Sequence, residues 1–368
     1  MPSGNKKVPP SPSTEPSASI RDVERAIQLA ERIAKVQGNI FIKELLRSKK
    51  KNDSSIKIGL TKEEILGNLL SAIRAGKITG SDIEAWINEV EGWGKQHVYM
   101  YDLTKKLSDS PIWSSPETIL TCLKRLHLDK SWQKTEAISF PDQLELAHID
   151  FSNGKFECVW RRGVVARQRD KSKDRLNEVI EGDTYDFHAH RHLPVRSVMR
   201  FEMLPAERQA ALFLQIPLGP EHADAIQEAF QLLGKVFDAS GLTPTDISRA
   251  IKKLDKAELE AAGAEQSSIQ AQATKFSTSG ATVEFSADPT IQAWKSVTAV
   301  RQVRRALRDD QFEGDSGKFT ASLRAKDGMK RDVTISLSGQ QKRLYLHAQM
   351  TAEEVMVTLD TVRKHSTK

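Results

Sequence analysis

Apolar residues recur at helical spacing through the first third of the chain and at alternate positions through much of the remainder. Ile20, Val23, Ile27, Ala30, Ile33 and Ala34 share one helical face, and Gly38 ends that run. Phe41, Leu45 and Leu46 open a shorter helix that continues into the basic stretch Arg47–Lys51. Thr61 and Glu64 form a capping-box pattern ahead of Ile65, Leu66, Leu69, Leu70 and Ile73, with Gly76 as the stop. Ser81 and Glu84 repeat that pattern before Ile83, Trp86, Ile87 and Val90. Ser115 and Pro116 then start a helix through Ile119, Cys122, Leu123 and Leu126, since proline fits a first helical turn, whose amides lack partners.

The period changes near residue 140. Leu144, Leu146 and His148 alternate with Ala147, Ile149 and Phe151, and Asn153-Gly154 is a hairpin turn signal because both residues tolerate positive φ. Phe156, Cys158 and Trp160 alternate on the returning strand. After the charged break RDKSKDR, strand-like runs cover Tyr185–Leu193, Arg196–Met203 and Ala210–Ile216, and helices are expected at Glu221–Phe237 and Thr245–Leu254. Lys256–Gln272 reads as a helical or flexible connector. Beyond it come a strand at Thr282–Phe285, a helix over Pro289–Arg308, strands at Lys318–Arg324, Asp332–Ser338 and Leu344–Ala348, and a closing helix capped by Thr351 and Glu354.

These patterns predict an α+β protein. Residues 1–19 are Pro/Ser-rich and carry too little apolar surface to offset ordering, so a disordered tail is expected there. An all-helical domain is expected over 20–130, a mainly antiparallel β-rich domain with helices over 140–255, and a two-layer α/β interaction module over 275–365. Within the first of these, between two helical patterns, lies WGKQHVYMY, Trp93–Tyr101. Its glycines suit a helix stop, and its aromatics suit a core seam better than a base-stacking platform.

Composition narrows the setting more than the activity. No apolar run approaches the roughly 18 residues that span a bilayer, and the N-terminus has no signal-peptide core, so no membrane partner is expected. Two cysteines, Cys122 and Cys158, cannot build a disulfide framework or a four-cysteine zinc site, which points to an intracellular location, cytoplasmic or nucleoid/nuclear. The net charge of +6 says less than its distribution.

Lys49, Lys50 and Lys51 form one basic cluster. A denser one comprises Arg161, Arg162, Arg167, Arg169, Lys171, Lys173 and Arg175 on a hairpin arm and its loop, with Arg191, Arg196 and Arg200 on the following strands. Repeated cations on neighbouring strands match what a phosphate backbone demands, and arginine binds phosphate bidentately. The expected function is therefore DNA binding without catalysis. Arg301, Arg304, Arg305 and Arg308 fall on one helical stripe and read as a solvated face.

The competing chemical signal is DFHAHRH, where His188, His190 and His192 would share a strand face about 6–7 Å apart. Such a pair of imidazoles can hold Zn or another divalent metal, with His148 and Asp150 able to complete the site, and would imply a metal-dependent hydrolase or nuclease. With no fourth ligand evident, no cofactor is expected. A third reading is an adaptor whose charge serves an acidic protein.

LTKEEILGNLLSAIRAGKITGSDIEAWINEVEGWGKQHVYMY, then FSNGKFECVWRRG and PVRSVMRFEM, resemble the helical domain and first sheet strands of the centromere protein N/Chl4 family. The resemblance implies a pyrin-like helical domain and a β-rich linker domain that together form a basic groove for nucleosomal DNA. It places DNA contacts at Lys49–Lys51 and Arg161–Arg200. It further implies a protein partner, or self-association, through residues 275–365.

Overall fold

A computed structural model describes residues 18–36, 38–134, 138–215, 222–260, 269–278, 281–286, 298–309, 312–321 and 333–367. Residues 1–17 of the expected tail, part of the connector and the start of the helix at Pro289 therefore lie outside the described residues, as does the end of the strand at Lys318–Arg324, while Ala18 and Ser19, expected in the tail, open a helix. The fold is α+β. Two compact units divide at Asn88/Glu89, in the last turns of a helix.

The first unit is helical: α1 (Ala18–Val36), α2 (Asn39–Lys50), α3 (Lys62–Arg74) and most of α4 (Gly80–Val90). Their apolar faces supply buried Ala26, Ala30, Phe41, Ile42, Leu46, Ile65, Leu69, Ile73, Ile83 and Ile87. Thr61 and Glu64 form the full capping box on α3, and Gly76 has φ +68° where that helix stops. On α4 the cap lies two residues earlier than Ser81/Glu84. Asp82 accepts the Thr79 amide at 2.8 Å, and its own amide donates to the Thr79 hydroxyl at 3.2 Å. The spacing was right, but two overlapping S/T-x-x-D/E patterns compete here and Thr79 takes the cap.

The second unit is built on one large antiparallel sheet. Its elements are β1 (Gln96–Leu103), α5 (Lys105–Ser108), α6 (Pro116–Arg125), β2 (Glu145–Ser152), β3 (Lys155–Arg169), β4 (Arg175–Ile180), β5 (Asp183–Phe187), β6 (His190–Leu204), β7 (Gln209–Gln215) and α7 (His222–Val236). They continue with β8 (Leu242–Pro244), α8 (Ile247–Glu260), β9 (Ile269–Ser277), β10 (Thr282–Ser286), α9 (Thr298–Asp309), β11 (Glu313–Ala321), β12 (Val333–Ser338), β13 (Arg343–Leu346) and α10 (Ala352–Ser366). The strand order is β10-β9-β11-β12-β13-β1-β7-β6-β3-β2, with β8 pairing beside β1.

The Trp93–Tyr101 stretch is a core seam, as expected, with Val98, Met100 and Tyr101 buried. It leads into β1, which pairs with β13 on one side and β7 on the other. The regions expected as a middle domain and a C-terminal module share this sheet, and the helical unit ends at Asn88 rather than near residue 130. The physical reason is visible in the alternation along β1. Val98 and Met100 enter one core with Phe213, Leu254, Ile335, Leu344, Val355 and Leu359, whereas Tyr101 and Leu103 enter the opposite core with Leu123, Phe156, Trp160, Phe201 and Leu233. A strand buried on both faces reads as a short mixed apolar run, and its sequence cannot say which strands flank it.

The basic stripe on α9 is not all solvated. Arg304 is fully buried rather than solvated, and it donates to Asp255 (Nε to Oδ1, 3.1 Å) and to Glu258 (2.7 Å) on α8. Burial pushes the Asp255 carboxyl above its ordinary range against the pull of that guanidinium. Arg305 is exposed, and the side chains of Arg301 and Arg308 lie outside the described residues. Val303, placed on the apolar side by pattern, is exposed, while Arg304 and Leu307 are buried.

Candidate nucleic-acid interface

β3 and β6 are each 15 residues long, longer than their neighbours. β2 pairs β3 only from Lys155 to Arg161, and β7 pairs β6 only from Met199 to Leu204. Beyond those limits β3 and β6 pair with each other alone, from Arg162↔Ser197 to Arg169↔His190. Eight residue pairs make a two-stranded ribbon about 25 Å long at strand rise. A short turn at Lys171–Lys173 then leads to the separate β4–β5 hairpin. The outer strands differ from expectation: the run Tyr185–Leu193 is broken between β5 and β6, and β4 falls where no strand is expected.

The arginines divide by position on this arm. Arg161, Arg196 and Arg200 lie at its root and are buried. Arg196 pairs with Glu91 through Nε at 2.6 Å and Nη2 at 2.5 Å, and the Glu91 carbonyl accepts from Gln215 Nε2. Arg200 lies 3.5 Å from the Trp93 ring centroid and 4.5 Å from that of Phe213, with Glu202 at 3.2 Å from Nε. A desolvated cation over an indole is worth about 2 kcal/mol. This answers for Trp93: it is a floor for a buried guanidinium. The three root arginines serve the fold, so phosphate contacts expected of them are not available at the surface.

Outward from the root, cations are exposed. Arg162 is half-buried and donates to the Asp142 carbonyl at 3.2 Å, while Arg167, Arg169, Lys171, Lys173, Arg175 and Arg191 are exposed. Three of these exposed arginines are held in place by acidic neighbours: Arg169 by Asp174 (2.8 Å), Arg191 by Asp170 (2.9 Å) and Arg175 by Glu178 (3.1 Å). Arg169 holds the Asp174 carboxyl below the ordinary carboxylate range, and Ser172 with Arg191 does the same for Asp170. In the helical unit, Lys50 and Lys51 are exposed at the end of α2, and Lys49 pairs with Asp82 at 2.5 Å.

The histidines sit among these guanidiniums. Register places His192 opposite Arg167 and His190 opposite Arg169. Arg169 Nη2 is 2.7 Å from His188 Nδ1, and Arg167 Nη2 is 3.2 Å from His190 Nδ1. These guanidiniums place positive charge beside two of the three imidazoles, which opposes a metal cation there. His148 pairs with Val159, eight residues along β3 from Arg167, or about 27 Å at strand rise, and its Nδ1 donates to the Lys134 carbonyl (3.1 Å) instead. The spacing that suggested a metal set therefore does not converge. Among the described residues no group of three His, Cys, Asp or Glu side chains is placed to hold a metal ion.

Among the described residues no helix is long and apolar enough to cross a membrane. No family model matches the chain, and no curated protein matches it.

Proposed function

We propose that this chain is a non-enzymatic DNA-binding and assembly protein whose outer β3–β6 ribbon and following turn contact the phosphate backbone. The observation that carries the reading is the ribbon itself, a free two-stranded extension that holds Arg167, Arg169 and Arg191 at fixed, exposed positions with Lys171 and Lys173 beyond them. A two-stranded ribbon is narrow enough for a major groove about 12 Å wide, and arginines pre-positioned by carboxylates lose less entropy on meeting phosphate. Sequence readout is weak or absent in this reading, because the contacts are charge-directed. Lys50 and Lys51 add a second basic surface on the helical unit. The stretch 275–365 is proposed, on the family resemblance, as the surface for a protein partner or a second copy.

The test is anisotropy of a labelled duplex titrated at two salt concentrations with the wild type and with R167E/R169E/R191E. Binding that weakens steeply with salt in the wild type, and collapses in the variant, supports the reading. Equal affinity of both proteins overturns it.

A further inference from the structure

Eight large apolar side chains are exposed among the described residues, and six of them lie on the arm. Five are on the hairpin at its end: Leu176, Val179, Ile180, Tyr185 and Phe187, between 37% and 67% exposed. Isolated exposed apolar residues are ordinary, but five within thirteen residues, spread over the two faces of one hairpin, are a concentration of the kind that marks an interaction site. The hairpin is also short of internal support. β4 and β5 pair with each other as a separate two-stranded sheet, and such a ribbon is marginal in water unless something packs against it.

Its charge is opposite to that of the ribbon that carries it. Residues 175–187 contain Glu178, Glu181, Asp183 and Asp186 against the single cation Arg175. Arg175 is itself held by Glu178 at 3.1 Å and lies 4.9 Å from the Phe187 ring centroid. Phosphate would be repelled by this end of the arm. Register puts Tyr185, Phe187 and Ile180 on one face with Glu178 and Asp183, and puts Val179 on the other with Thr184 and Asp186. Each face thus offers apolar contact inside an acidic frame.

We propose that the β4–β5 hairpin docks a basic, partly apolar segment of a protein partner. The charge complement selects a Lys/Arg-bearing segment, and the outer strand edges allow it to add as a further strand, with alternate side chains meeting the two faces. The arm is then bipartite, with cations along its length and an acidic, apolar end. This inference does not rest on the DNA reading.

The experiment uses the full chain and a fluorescent synthetic peptide of alternating lysine and valine, compared across V179S/Y185S, E181K/D183K and R167E/R169E. All six sites are exposed, and circular dichroism with thermal melting checks that each variant is folded. The expected result is a drop of at least about tenfold in peptide affinity for both hairpin variants and no loss for R167E/R169E. No peptide binding by the wild type, or equal binding by the hairpin variants, overturns the proposal. A wild-type dimer that V179S/Y185S converts to monomer in sedimentation also overturns it, making a second copy the occupant. A duplex that loses affinity in V179S/Y185S while the peptide does not overturns it in favour of nucleic acid at this end. Failure of the DNA reading shows separately, as duplex binding indifferent to R167E/R169E.

Discussion

The root and the outer length of the β3–β6 arm carry the same residue type at the same density, and the fold puts it to different uses. At the root, Arg161, Arg196 and Arg200 are buried, two of them against Glu91, Trp93 and Phe213. A few residues further along the same strands, Arg167, Arg169 and Arg191 stand in solvent, each held by a hydrogen-bonding neighbour. The difference is whether a third strand or a helix end covers the position. A guanidinium under cover is part of the core and must be matched, while one on the free ribbon keeps its field available to a ligand.

That contrast can be broken in order of effect. Arg196→Ala leaves Glu91 buried without its cation and should cost about 3–5 kcal/mol, read as a lowered denaturant midpoint. Loss of less than about 1 kcal/mol would mean that the root pair is not a structural element. On the free ribbon, R167E/R169E/R191E should shift stability by no more than about 0.5 kcal/mol per site while lowering the salt slope of duplex binding by about three. A large stability loss there would erase the distinction.

Protonation gives a finer test. Asp174 accepts from Arg169 and from the Ala189 amide at 2.9 Å, and its pKa is depressed in the folded arm. A depressed carboxylate contributes order that is complete above the ordinary value of about 3.9 and is lost as pH falls through the lower folded value. The Ala189 amide resonance should therefore titrate with a midpoint below about 3.9, and a midpoint above it would show the outer pairs to be absent in solution. The smallest effect is chemical: burial pushes the Cys158 thiol well up, so it should resist a thiol reagent in the native state while the half-buried Cys122 reacts.

Legibility followed the range of the interaction. The Asn153-Gly154 turn appears with φ +52° and +74°, and the caps at Thr61, Ser115 and Thr351 appear where their patterns placed them, because each depends on residues within three or four positions. The candidate site was legible as composition only. Its arginines were found, but strand length beyond the neighbours, which separates exposed from buried ones, is a property of pairing. The acidic character of residues 175–187 was present in the letters and was masked by the basic stretch before it.

Alone, the sequence determined the α+β class, the two hydrophobic periods, the local turns and caps, and the amount of positive charge on the arm. The tertiary structure decided that β1 joins both halves of one sheet, that Arg304 is sealed between Asp255 and Glu258, and that on the β3–β6 arm Arg167, Arg169 and Arg191 face solvent while Arg161, Arg196 and Arg200 do not. The reason is physical. Backbone geometry and capping are satisfied by neighbours in the chain, whereas burial of a charge depends on which distant segment arrives to cover it.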